Sequence, residues 1–274
     1  MAAAIDPEKL ACDLLLFFAT TDEEKALKAA ALARNLPFEK IKHPDLGEYR
    51  WLGQVGSDRV IAIPPARETS GHVVMGEFGR LGTAARAIRF SRGLQAQGIV
   101  QLGMAFGVDP ERQKLGDVLV STSIVAYDYR VVRGLQSDPL TYETDYSDAL
   151  REAARPSLVA LFRAEEKRSS SRTFAIHPGV LLSGAARVQS RAFRNELVAG
   201  VPSGGDEIVG GEMEGVGLLA ASRETDHPIW CIVKGISDFA DENRDAVIKD
   251  SRPIACRNAA EFVLSALVNN QAAR

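Results

Sequence analysis

The sequence predicts an α/β fold, a sheet with helices on both faces, on three observations. Short apolar runs alternate with longer amphipathic ones along the whole chain. Several of the short runs are apolar on both faces, as strands are when helices cover each side. Unusual glycines and carboxylates collect where those runs end, which is where open α/β sheets bind ligands.

Residues 14–18 (Leu-Leu-Leu-Phe-Phe) form the first predicted strand. The acidic and alanine-rich stretch 22–35 then reads as a helix, with Thr21-x-x-Glu24 as a capping box at its start. Further strands are expected at 60–63, 72–75, 99–102, 118–121, 173–176 and 229–236. Further helices are expected at 81–92, 147–167, 214–224 and 253–269. Lys167-Arg168-Ser169-Ser170-Ser171-Arg172 reads as a surface loop. With no internal repeat and no long linker, we expect one compact domain over residues 13–270 behind a short N-terminal extension, residues 1–12.

Of the 274 residues, 46% are hydrophobic and 25% charged, enough apolar surface for a sizeable core. A net charge of −3 gives no reason to expect nucleic-acid binding. Cys12, Cys231 and Cys256 are widely spaced, without a CxxC pair or metal-like spacing, so we expect neither a metal nor a redox cofactor. Apolar runs fall short of the roughly 18 residues of a membrane helix, and the start lacks a basic signal-peptide region. The expectation is a cytoplasmic protein that does not bind membranes.

Three groups of residues carry candidate chemistry. Asp238 follows the apolar strand in Gly235-Ile236-Ser237-Asp238, read as a turn, where a carboxyl could act as a general acid or cap a helix. Glu212 and Glu214 lie two apart beside a glycine pair, and in extended backbone would project to the same side. Glycine-rich loops follow two strands, Gly76 to Gly82 and Gln101-Leu102-Gly103-Met104-Ala105-Phe106-Gly107. They allow close backbone approach, and a helix opening after a glycine loop favours an anion.

Gly210-Gly211-Glu212-Met213-Glu214-Gly215 and Trp230 to Asp241 resemble the two signature segments of the nucleoside phosphorylase and methylthioadenosine/S-adenosylhomocysteine nucleosidase superfamily. The resemblance runs from about Leu14 to Val268 and implies a mixed, strongly bent sheet flanked by helices. It also implies cleavage of a purine–ribose bond, with Asp238 protonating the purine and Glu214 gripping the ribose hydroxyls. Met213 would pack on the sugar, Glu212 and Ser237 would support the site, and Gly79, Gly103 and Met104 would come from the glycine loops. In the nucleosidase branch the first strand leads to a Glu that activates water. Spacing puts Glu24 there, with Glu23 as the near alternative, and the capping box remains the plain reading of Glu24.

Gln101 and Met104 stand where phosphorolytic members hold phosphate with Arg and Ser, which argues for water as the nucleophile. Val188 would contact the purine edge through its backbone, beside Arg187 where adenine nucleosidases stack a Phe. Ala105-Phe106-Gly107-Val108-Asp109 and the segment Gln113 to Ser121 resemble most a bacterial subgroup of anti-phage effectors, some of which hydrolyse ATP to adenine and ribose triphosphate. The resemblance thus implies a small-molecule purine nucleoside or nucleotide as partner, a homo-oligomer (dimer or hexamer) and a defence-system activator. Arg163, Lys167, Arg168, Arg172, Arg187, Arg191 and Arg194 could hold a triphosphate, or form a solvated basic face. A salvage phosphorylase or nucleosidase, and a non-catalytic nucleotide-binding module, are the alternative readings.

Overall fold

The computed structural model describes residues 5–67, 73–74, 81–135, 138–148, 150–168, 172–222 and 228–270. The first half contributes β1 (Leu14–Phe17), α1 (Thr21–Leu32), β2 (Glu39–His43), β3 (Gly47–Val55), β4 (Asp58–Ile63), β5 (Ala66–Arg67), β6 (Val73–Val74), α2 (Thr83–Leu94) and β7 (Gly98–Gly107). After it come β8 (Val118–Ala126), β9 (Arg130–Leu135), β10 (Asp138–Tyr146), β11 (Arg151–Ala153) and α3 (Pro156–Arg168). The last part is β12 (Ile176–Ser183), α4 (Arg191–Gly200), β13 (Ile208–Glu212), α5 (Val216–Ser222), β14 (Trp230–Asp238) and α6 (Arg244–Asn269).

Ten strands form one mixed sheet in the order β11-β8-β12-β13-β7-β1-β4-β3-β2, with β14 joining β7 to β8. Because β7, β13, β12, β8 and β14 pair in a ring, the sheet bends back on itself. Strand β7 is the hinge of that ring. Its first residues, Gly98 to Gln101, pair with β1, and its last two, Phe106 and Gly107, pair with β13. Between those two stretches one edge of β7 has no strand partner among the described residues, while β14 runs along the other edge from Ile99 to Phe106.

Helices flank the sheet in two groups. Helix α6 packs on α1, α3, β14 and β7, and α2 packs on α5. Gly235 lets α6 come close: a Cβ there would lie 2.2 Å from the Ala255 carbonyl oxygen. Leu15, Leu16, Phe17, Trp230 and Ile232 are wholly buried, in keeping with strands covered on both faces.

The α/β class and every predicted helix are present, with different boundaries for several elements. The loop expected at 101–107 is the second half of β7, since Gly103 is accommodated within the strand. The predicted turn around Ser237-Asp238 is the end of β14. The strand expected at 173–176 begins at Ile176 and continues to Ser183, through His177 and Pro178. The stretch 147–167 splits into β11 and α3, with Pro156 starting the helix, where its missing N–H costs nothing. Helix α6 starts nine residues before Pro253, which lies inside it. Of the strand expected at 72–75, Val73 and Val74 are described and pair with β5.

Candidate active site

Three chain segments meet at the unpaired edge of β7. The first is the turn between β1 and α1. Thr20 caps α1 by accepting from the Glu23 N–H at 3.3 Å, and Glu23 Oε2 accepts from the Thr20 N–H at 2.8 Å and the Ala19 N–H at 2.7 Å. Glu23 Oε1 then reaches β7 and accepts from the Met104 N–H at 3.0 Å. Gly103 makes this possible: its φ is +152°, and a Cβ would stand 2.1 Å from Glu23 Oε1. A carboxylate therefore fills the gap that β1 and β13 leave on β7.

The capping box is thus Thr20–Glu23 rather than Thr21–Glu24. One residue along a helix turns a side chain by about 100°. Glu24 consequently points away from the cleft and pairs with Arg50, Nη2 to Oε1 at 2.7 Å.

The second segment is the exit of β13. Glu212 is buried and accepts from the backbone N–H groups of Glu214 and Gly215, each at 2.9 Å. Its carboxylate shapes the turn that presents Glu214. The third segment is β14, where Lys234 lies in register with Gly103 and is 1% exposed. Its ammonium donates to Glu212 Oε2 at 2.8 Å and to Glu214 Oε2 at 2.6 Å.

This buried cluster sets the local charge states. Burial works to lower the Lys234 ammonium, but the charges of Glu212, Glu214 and Glu23 outweigh it and hold the group above its ordinary range. Burial works to raise Glu212, and there Lys234 prevails and lowers it. For Glu23 burial wins: its carboxyl is raised despite Lys234 and two backbone N–H donors, with Glu214 adding to the rise. Glu23 therefore takes up a proton more readily than an ordinary glutamate.

At the end of β14 the pairing with β7 shifts register between Ile236 and Asp238. Such an irregularity re-aims side chains, and both Ser237 and Asp238 face the cleft although they are consecutive. Asp238 is 4% exposed and accepts from the Ala240 N–H at 3.0 Å. The Ser237 hydroxyl lies 2.8 Å from Asp238 Oδ2, and Arg244 Nε stands 3.5 Å from the same oxygen.

Together these groups line a cavity of about 130 Å³ with Met104, Phe106, Arg187, Val188, Met213 and Arg252. Of the expected site residues, Asp238, Glu214, Glu212, Met213, Val188, Arg187, Ser237 and Met104 face the cleft, and Gly103 lies beneath Glu23. Glu24 does not, and Gly79 lies outside the described residues. Of the expected basic cluster only Arg187 lines the cleft: Arg163, Lys167 and Arg168 are on α3, and Arg172 donates to the Glu165 and Glu166 carbonyls. Arg194 on α4 donates to the Phe239 carbonyl at 2.8 Å. Lys234, Arg244 and Arg252 complete the site without being among the residues that the sequence singles out. The signal for Lys234 was a charge in the middle of an apolar strand. Among the described residues no group of three or more His, Cys, Asp or Glu could hold a metal ion.

A family model for the phosphorylase superfamily matches residues 19–268. The chain belongs to the phosphorylase superfamily. Within it, a death domain-containing ATP nucleosidase of Amphimedon queenslandica is 27% identical over 292 residues, covering 96% of this chain and 51% of the relative. The chain thus spans about half the length of that relative. Among solved structures of the same fold is the 5′-methylthioadenosine/S-adenosylhomocysteine nucleosidase of Neisseria meningitidis in complex with methylthio-immucillin-A. It has a TM-score of 0.68 at 17% identity and covers 93% of this chain and 98% of its own. The futalosine hydrolase of Helicobacter pylori follows at 0.67 and 18%, over 92% and 96%. As a superfamily member the chain has the mixed sheet flanked by helices that its sequence implied. No helix among the described residues is long and apolar enough to cross a membrane.

Proposed function

We propose that the chain is a purine N-ribosyl hydrolase that acts on adenine nucleotides, cleaving ATP to adenine and ribose triphosphate. The observation that carries the reading is the convergence of Glu23, Glu214 and Asp238 on one cleft from three separate strand exits. Asp238 acts as the general acid, delivering a proton to purine N7 as the C1′–N9 bond breaks and the base takes the bonding electrons. Glu214 accepts from the ribose hydroxyls through charge-assisted hydrogen bonds. Glu23 takes the proton of the water whose oxygen joins C1′. Acid or base help of this kind is worth about 10²–10⁴-fold in rate.

Water is favoured over phosphate by the position of Glu23. Its carboxylate occupies the Met104 N–H on β7, the position where the resemblance puts the anion of phosphorolytic members, and it would repel one. A nucleotide is favoured over a nucleoside by Arg187, Arg244 and Arg252, three cations lining the same cleft. The name of the Amphimedon queenslandica relative supports ATP as substrate.

The first test is free adenine released from ATP, adenosine and methylthioadenosine without phosphate, beside an Asp238→Asn control. Release from ATP that disappears in the variant supports the reading; release that requires phosphate returns the protein to phosphorolysis. We also propose a homo-oligomer, supported by Tyr129, Val131, Val132 and Tyr142, each more than half exposed on or beside the β9–β10 hairpin. A monomer by light scattering would remove it. As biological setting we propose phage defence under a defence-system activator. Equal protection by wild-type and Asp238→Asn strains would exclude that role for the activity.

A further inference from the structure

A second cavity, of about 370 Å³, lies on the other side of the first turn of α1. It is lined by Glu24, Glu48 and Arg50, by Ile63 to Ala66 after β4, and by Arg86, Arg89 and Phe90 of α2. The two acids are already neutralised: Arg50 bonds Glu24 at 2.7 Å and Glu48 at 2.6 Å, and Lys40 also pairs with Glu48.

Arg86 is different. It is 4% exposed and donates to the Pro64 carbonyl, and its guanidinium lies 5.5 Å from the Phe17 ring centroid. No carboxylate among the described residues forms an ion pair with it. The other charge bearing on it is Arg89, which repels it. Burial first and Arg89 second bring the Arg86 guanidinium down to about 10. A buried cation without a counter-charge is costly, since its lost hydration is not replaced. Two arginines one helical turn apart, facing a cavity large enough for several heavy atoms, make good that loss when an anion enters.

We propose that Arg86 and Arg89 form an anion site, separate from the catalytic cleft, that takes the phosphate groups of a small molecule. A guanidinium matches phosphate oxygens in bidentate geometry, and the charged pair suits a phosphate better than a neutral ligand. The site borders the cleft through one helical turn, with Glu24 facing the cavity and Glu23 facing the cleft. Its ligand is therefore either a free polyphosphate-bearing metabolite or the distal phosphates of a bound nucleotide. The site does not depend on the catalytic reading, because it is defined by binding alone.

The experiment is a thermal melt of the full chain with increasing tripolyphosphate, for wild type, Arg86→Met and Arg89→Gln. The expected result is a wild-type Tm rise of several degrees at millimolar tripolyphosphate, abolished in Arg86→Met and weakened in Arg89→Gln. Without anion, Arg86→Met should melt close to wild type, because loss of the Pro64 hydrogen bond and the Phe17 contact is offset by removal of a buried charge that has no carboxylate partner among the described residues. If Arg86→Met does not fold, Arg89→Gln, at an exposed position, carries the test alone. In an Asp238→Asn background saturated with ATP, tripolyphosphate adds nothing if the site takes the nucleotide's own tail. It adds its full shift if the site takes a separate anion. A shift that is absent in wild type, or that persists in both variants, overturns the proposal.

Discussion

Lys234 Nζ lies 2.6 Å from Glu214 Oε2, with the lysine buried beneath the cleft and the glutamate at its floor. A lysine wholly buried in the middle of a strand is stable only because Glu212 and Glu214 face it together. It fixes one oxygen of Glu214 and so orients the carboxylate. Lys234→Met should therefore destabilise the fold by about 3–5 kcal/mol, the usual cost of leaving a buried charge without its partner. Urea melts monitored by tryptophan fluorescence check this; a loss below about 1 kcal/mol would contradict the role given to the pair.

Asp238 holds no comparable structural position. Its oxygens are met by the Ala240 N–H, the Ser237 hydroxyl and a distant Arg244, and an asparagine can keep most of those contacts. Asp238→Asn should melt within about 1 kcal/mol of wild type, as most substitutions without a named structural defect do. It should lose about 10²–10⁴-fold in kcat for adenine release.

Glu23 and Glu24 are neighbours with opposite surroundings. Glu23→Gln should remove the proposed water-activating base and lose about 10²–10⁴-fold in kcat, whereas Glu24→Gln should change kcat by less than tenfold. The raised Glu23 carboxyl also fixes a pH dependence. The base must be ionised, so kcat/KM should fall as pH drops through a value above the ordinary glutamate range, roughly 4.3. Stability has the opposite sign. The fold favours protonated Glu23, so its contribution is complete below the unfolded pKa and is lost as pH rises through the folded one. A pH–rate profile of wild type, with melts at matched pH, checks both signs.

Much of this was legible in the residues. Apolar runs such as 14–18 and 229–236 are strands because they are buried on both faces, and period and composition register that directly. Glu212, Glu214 and Asp238 stood out because acids at the ends of such runs are unusual. The misplacements have physical reasons. The capping-box pattern fits both Thr20–Glu23 and Thr21–Glu24 in spacing, and only the reach to the Met104 N–H distinguishes them. Gly103 looked like a loop residue because glycine usually marks turns, but here it is kept inside a strand to admit a carboxylate. Exposed strands β2, β9 and β10 lack the apolar pattern that a sequence reader follows. Arg244 and Arg252 are 215 or more residues from the first turn of α1, and their place at the cleft depends on how α6 crosses β14.

Gly103 supplies the sharpest structural test. Alanine at φ +152° is strained by about 1–3 kcal/mol, and its methyl would collide with the Glu23 carboxylate. Two consequences should appear together in Gly103→Ala. Stability should fall by at least the backbone term, and adenine release should fall toward the level of Glu23→Gln, because the displaced carboxylate loses its hold on Met104. Full activity in a destabilised Gly103→Ala would mean that Glu23 does not act from the position it occupies here.

Under the proposed function, Arg252 is the residue that tests nucleotide against nucleoside. Among the described residues it pairs with Asp22 at 3.6 Å, and its Nε is buried without a hydrogen-bond partner. A guanidinium so weakly engaged at the cleft is well placed to meet a 5′-phosphate. A hydrogen bond to a charged group contributes about 1.5–3 kcal/mol, so Arg252→Gln should raise KM for ATP roughly tenfold or more. KM for adenosine should stay within about twofold, because no phosphate is present to lose the contact. Steady-state kinetics on both substrates separate the two effects. A parallel rise for ATP and adenosine would move Arg252 from phosphate recognition to general support of the cleft, and would leave Arg244 and Arg187 to account for any preference for nucleotides.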